Sequence, residues 1–250
     1  MSAAHLTISG PLRFAGAVIL SVSLAACASG TGEGSPSTGV STGSNGVSTS
    51  TKPPGPGTST SDAAGTSGIP ASAVLQPSDV SGAKAEPLAE GHESHLRPLR
   101  PCGDSDPYPS DDSRTAAVAV SYAPGSGGAG TVPNVFVEFV GRHAPGGAAD
   151  QFDEINKALR RCPGSLAEKK RRWTKLGTDI AGDESVLVRI DQRMSYGDEE
   201  PETVSDYAAL ARTGDMIVVV ADIGWENLDG SEKLVRDLIG KAVRRAGDTG

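Results

Sequence analysis

Several short stretches of this 250-residue chain hold side chains able to bind metal, move protons or form covalent bonds. In GHESHL, His92 and His95 stand three apart with Glu93 between them. Two imidazoles and a carboxylate are zinc-ligand types, but neither HExxH spacing nor an apolar helix surrounds them, so a solvated loop is expected. CGDSDPYPSDD holds Asp104, Asp106, Asp111 and Asp112, hard oxygens that suit calcium. The order, glycine and closing glutamate of an EF-hand are missing, so this reads as an acidic surface loop. Asp183 and Glu184 in AGDES pair two carboxylates; acid–base work needs a cleft and a base around such a pair, and a turn is the plainer reading. Gly125-Ser126-Gly127-Gly128-Ala129-Gly130 spells G-x-G-x-x-G, but it joins two apolar strand-like runs. A dinucleotide's pyrophosphate needs that loop to open a helix, so this is a connection. EKKRRW, residues 168–173, is the basic cluster of the chain: a charged helix-to-strand connection, with anionic head groups or wall polymers as the functional alternative. GDEEPE, residues 197–202, reads as a solvated turn. No Ser, His and Asp stand in a recognisable catalytic context. No cofactor, metal or catalytic residue is expected.

The three cysteines carry more. Phe14 to Ala26 is a run of thirteen apolar or small residues, too short for a hydrocarbon core that needs about twenty. With Arg13 ahead of it, the layout is that of a secretory signal. It closes on Leu24-Ala25-Ala26-Cys27, which has the form of a bacterial lipobox. There the cysteine thiol takes a diacylglyceryl group and becomes the first mature residue. The expectation is a signal peptide at 1–26, a lipid anchor on Cys27, and a protein held on the extracytoplasmic face of the cell membrane. Several acyl chains anchor far more firmly than one. Residues 27–68 are mostly Ser, Thr, Gly, Pro and Ala, a composition that cannot bury enough apolar surface to offset ordering. As a flexible tether this stretch reaches about 35 Å. With Cys27 acylated, Cys102 and Cys162 remain, an even number in an oxidising compartment, and a disulfide between them is expected. Closing about sixty residues, it stabilises by about 4 kcal/mol on the loop-entropy account. A cysteine-based active site is the alternative, but no histidine lies in a papain-like context.

The net charge is −8, and losing Arg13 with the signal makes it −9. Such a chain is a poor nucleic-acid binder. Residues 69–247 suit a single domain. RTAAVAVSYA (114–123) and PNVFVEFVGR (133–142) read as a long-looped hairpin. In the second, Val135, Val137 and Phe139 share one face, and Phe136, Glu138 and Val140 the other. Phe152, Ile155, Leu159 and Cys162 recur at helical spacing, with Pro163-Gly164 stopping the helix. RRWTKLGTDI, ESVLVRIDQRM and VSDYAALARTGDMIVVVADI supply four more strands, the last two joined at Thr213-Gly214-Asp215. Ser231 caps a final helix whose stripe is Leu234, Val235, Leu238, Ile239, Ala242 and Val243. The fold class expected is α+β: an antiparallel sheet packed by helices on one face, a two-layer sandwich.

SAVLQPSDVSG, the isolated Cys102, FDEINKALRRC, AGDES, ARTGDMIVVV and the terminal amphipathic helix together carry a resemblance. The chain resembles the extracellular sensor-like domain of mycobacterial PknH-type receptor kinases and of many actinobacterial lipoproteins, over most of residues 69–246. The resemblance implies an antiparallel sheet and helices around a cleft that takes an unidentified ligand. The kinase's domain has two disulfides and this chain can form one; kinase motifs are missing. The function expected is a membrane-anchored lipoprotein with a non-catalytic ligand-binding, sensor-like domain, its partner an unknown envelope ligand or protein. The alternative is a structural or protein-interaction lipoprotein of the envelope with no small-molecule ligand. An envelope hydrolase, the third class, requires two carboxylates or a His–acid pair converging in a cleft.

Overall fold

The computed structural model describes residues 68–123, 135–167, 170–195, 200–226 and 228–249. In chain order the elements are β1 (Lys84–Pro87), β2 (Arg114–Ala123), β3 (Phe136–His143), α1 (Gly147–Arg161), β4 (Arg171–Thr178), β5 (Glu184–Met194), β6 (Glu202–Thr213), β7 (Met216–Asp222) and α2 (Glu232–Gly247). Two 3₁₀ turns, Ala71–Ala73 and Pro109–Ser113, precede β1 and β2. The strands form one antiparallel sheet in the order β1-β2-β3-β7-β6-β5-β4. All of this lies in one unit, Thr58–Gly250. The expected signal peptide, Cys27 and the linker through residue 67 lie outside the described residues. So do Gly125–Gly130, Glu168, Lys169, Gly197, Asp198 and Glu199.

The α+β class and the antiparallel sheet packed by helices hold. The placing of both helices on one face is corrected: each face has its own helix. Every residue of β7 is buried. Val218 and Val220 pack with Val235, Leu238 and Ile239 of α2, whereas Ile217 and Val219 pack with Phe152, Ile155 and Leu159 of α1. A strand buried on both sides reads as a continuous apolar run, and MIVVVAD is one. The register carries the division outward. Ala209 and Leu210 of β6 pair with Val220 and Val219, and Val137 and Phe139 of β3 pair with Ala221 and Val219.

Local signals set the element ends. Thr213 pairs with Met216 across Gly214-Asp215, with Gly214 at φ +55°, a two-residue turn that wants glycine at its first position. The Ser231 hydroxyl accepts from the Leu234 N–H at 3.3 Å and caps α2. Arg160 and Arg161 close α1, where cations suit the helix dipole. The edge strands are guarded by chemistry: β1 is KAEP, exposed throughout, and β4 is Arg- and Lys-rich with a register shift between Lys175 and Gly177. No helix among the described residues is long and apolar enough to cross a membrane.

The segment ahead of β1 completes the α2 face. Ile69, Ala73, Val74, Leu75 and Val80 join that core, and Asp79 is held by Arg245 of α2 at 3.1 Å. Under this segment lies a carboxylate in an apolar layer. Glu138 is 1% exposed. Its Oε2 accepts from the Leu75 N–H at 2.9 Å and from the Tyr122 hydroxyl at 2.5 Å, while its Oε1 has no partner. Burial outweighs those two hydrogen bonds and pushes the carboxyl up to about 7. A folded-state pKa above the unfolded value means that the native state holds the proton more tightly. Stability therefore falls as pH rises from about 4.5 through 7, by on the order of 2–3 kcal/mol. Urea denaturation of Glu138→Gln between pH 5 and 8 checks this: the variant should lose that part of the pH slope and exceed the parent in stability at pH 8. An unchanged slope refutes it.

Candidate functional site

The α1 face needs more cover than a fifteen-residue helix gives. Residues 88–113 supply it, crossing that face between β1 and β2. Leu96, Leu99 and Tyr108 are buried with α1 and the sheet. The crossing stretch is apolar at few positions, so polar contacts and the cysteines hold it. The Arg97 guanidinium donates to the Ala89 and His92 carbonyls at 2.8 and 2.9 Å. The Tyr108 hydroxyl donates to the Leu99 carbonyl. Arg100 pairs with Asp111 and Arg161 with Asp106, both at 2.7 Å. Cys102 and Cys162 stand in disulfide geometry, with Cα atoms 5.1 Å apart. This ties the crossing stretch to the end of α1.

Between that stretch, the end of α1 and the start of β4 is a hollow of about 450 Å³, walled by the cysteine pair, His95 and Trp173. His95 is 5% exposed, its ring edge-on to Trp173 with centroids 6.1 Å apart. Its Nδ1 faces Glu93 Oε2 at 3.6 Å, and its Nε2 is buried without a hydrogen-bond partner. Burial, helped by the Arg171 charge, lowers the imidazole to about 3, so it is neutral at physiological pH. Arg171 Nε is likewise buried with no partner. Asp206 of β6 lies in the same electrostatic neighbourhood. Burial and then Glu93 push its carboxyl up to about 8 against the pull of Arg171.

Glu93 and His95 form the His–acid pair a hydrolase would use, but an imidazole near 3 holds a proton too weakly for a general base at neutral pH. It is well suited to accept a hydrogen bond. The hollow's lining includes Arg100, Arg161, Lys170 and Arg171 against Asp104, in a chain of net charge −8. Arg100 and Arg161 are engaged by Asp111 and Asp106. Lys170 and Arg171 have no ion pair among the described residues, and these two give the hollow its positive field.

A second polar pair meets elsewhere. Ser113 Oγ lies 2.9 Å from His143 Nδ1 and donates to the Ser110 carbonyl at 2.7 Å. With the hydroxyl hydrogen on that carbonyl, Nδ1 must be the donor to Oγ. His143 therefore cannot take the serine's proton, and the pair pins the start of α1, where Gly147 backs onto Ser113.

The sequence-singled residues divide as follows. Cys102 and Cys162 come together. His92 is exposed and His95 buried, which corrects the reading of GHESHL as a solvated loop: Leu96 and Leu99 draw His95 inward. Asp104 accepts from Ser94, Asp106 takes Arg161, and Asp111 takes Arg100 and Arg114, so the acidic run is parcelled out among separate partners. No group of three or more metal-ligating side chains forms among the described residues. Asp183 and Glu184 both hold Arg212, which fixes the β4–β5 turn to β6. From the basic cluster, Lys170, Arg171 and Trp173 line the hollow, a role the sequence did not reveal. Arg100, Arg161 and Asp206 were missed as well; the signal for Asp206 was an acid alternating with Val204 and Ala208 on one face of its strand. No protein-family profile, no curated protein and no solved structure matches the chain.

Peptide mapping without reductant should find Cys102 linked to Cys162, and free thiols at both positions refute the bridge. Cys102→Ser should lower unfolding stability by roughly 2–4 kcal/mol in urea.

Proposed function

We propose that this chain is an extracytoplasmic lipoprotein, anchored through acylated Cys27, whose domain at 69–247 is a non-catalytic, sensor-like binding module. Its ligand sits in the hollow beside Cys102 and Cys162. One observation carries the binding part: His95 and Arg171 both line the hollow, and each has a buried nitrogen without a hydrogen-bond partner. A buried polar group without a partner costs about 1–3 kcal/mol, which a complementary ligand recovers. The signal-like segment, the small-residue tether and a cysteine pair in bonding geometry support the placement. So does the resemblance to PknH-type sensor domains and actinobacterial lipoproteins.

The alternative, an interaction lipoprotein without a small ligand, draws on a different patch. Trp225 and Leu228, bridged across one turn after β7, are 40% and 45% exposed, and Met194 is 37% exposed. Single exposed apolar residues are ordinary, whereas the hollow gathers unpartnered buried groups. The binding reading is favoured.

Cys27→Ser should move the protein from the membrane to the soluble fraction and abolish palmitate labelling. Membrane retention with unchanged labelling overturns the anchor. Native mass spectrometry of the chain purified from its own envelope should show a co-purifying small molecule. An adduct-free spectrum, with no thermal shift in envelope extract, overturns the binding reading.

A further inference from the structure

The hollow's lining carries more cations than anions in a chain that is negative overall, and two of its residues hold unfilled hydrogen-bond valences of opposite kind. Arg171 Nε is a buried donor without an acceptor. A guanidinium in that condition is satisfied best by carboxylate or phosphate, whose oxygens match its fork. Lys170 stands on the same wall and adds a second cation. Asp206 does not neutralise Arg171 at neutral pH, because burial keeps its carboxyl protonated there. His95 asks for the opposite partner. With Glu93 Oε2 facing Nδ1, the ring proton belongs on Nδ1, and the buried Nε2 carries a lone pair. A second anionic oxygen there would meet lone pair with lone pair, so that position wants a donor such as a hydroxyl. A volume of about 450 Å³ admits a molecule of roughly monosaccharide size, at the small end of ligand sites.

We infer that the hollow binds a small hydroxylated anion, with its carboxylate or phosphate on Arg171 and Lys170 and a hydroxyl donating to His95 Nε2. This inference rests on the binding reading above and narrows it to an acidic sugar, sugar phosphate or similar hydroxy acid. Charge supplies attraction, and the imidazole supplies selection between hydroxylated and bare anions. Neutral sugars lack the first contact and apolar acids lack the second.

Calorimetric titration of the full-length, detergent-solubilised protein with four probes tests it. Glucuronate carries carboxylate and hydroxyls, and glucose 1-phosphate carries phosphate and hydroxyls. Glucose lacks the charge, and cyclohexanecarboxylate lacks the hydroxyls at similar size. At least one of the first two should bind, at least tenfold more tightly than both controls, and the stronger of the two identifies the acid group. Lys170→Met, at a position with no ion pair among the described residues, should weaken that probe at least fivefold while leaving the thermal unfolding midpoint unchanged. Arg171→Met should weaken it at least tenfold. His95→Leu should erase the preference for glucuronate over cyclohexanecarboxylate, and His95→Gln, which keeps an acceptor, should retain part of it. Equal binding of glucose, equal binding of cyclohexanecarboxylate, or no binding of any probe overturns the ligand class. A neutral or cationic adduct in native mass spectrometry, lost in Arg171→Met, would overturn the class and leave the binding reading standing. An adduct-free protein that also ignores all four probes removes both.

Discussion

Apolar side chains on both faces of β6 and β7 oblige the chain to cover its sheet twice, and the rest of the architecture follows. On one side α2 does most of the work, with the segment from Ile69 to Val80 filling in beside it. On the other, α1 covers only part of the exposed apolar area. The remainder is closed by a crossing stretch whose buried apolar contribution comes chiefly from Leu96, Leu99 and Tyr108. A cover that thin cannot hold itself by burial alone. It is secured by the ion pairs of Arg100 and Arg161 and by the cysteine pair. The hollow lies where this cover meets the end of α1 and the edge strand β4.

Much of the architecture could be read from one-dimensional pattern. ESVLVRIDQRM coincides with β5, the Thr213-Gly214-Asp215 signal is the β6–β7 turn, and Ser231 caps α2. The faces assigned to Val137, Phe139, Phe136 and Val140 also match their two cores. The helices cannot share one face because MIVVVAD is apolar on both sides, and each side has its own core to complete. β1 was missed because KAEP is short, polar and contains proline, so it carries no alternation.

The site was less legible, for a reason of a different kind. Periodicity reports which face a residue occupies and says nothing about its partner across the fold. His95 and Arg171 lie in stretches that were both singled out, yet separately. Only the meeting of the crossing stretch with the end of α1 and the start of β4 brings them onto one wall. The same holds for Tyr122 with Glu138, and for Ser113 with His143. Both pairings run between β2 or its approach and β3, where register decides who meets whom. Local consistency breaks at few places, and those places are where buried polar atoms lack partners.

The cysteine pair also changes what the chain is as a connected object. Joining Cys102 to Cys162 makes a covalent ring that contains the turn at Pro109–Ser113, β2, β3 and all of α1. One scission of the backbone inside that ring opens it without separating the two ends. The intact bridge would thus keep both fragments in one molecule, β3 and its neighbour β7 included. Its lifetime after a single cut is then set by the thiol chemistry of its surroundings.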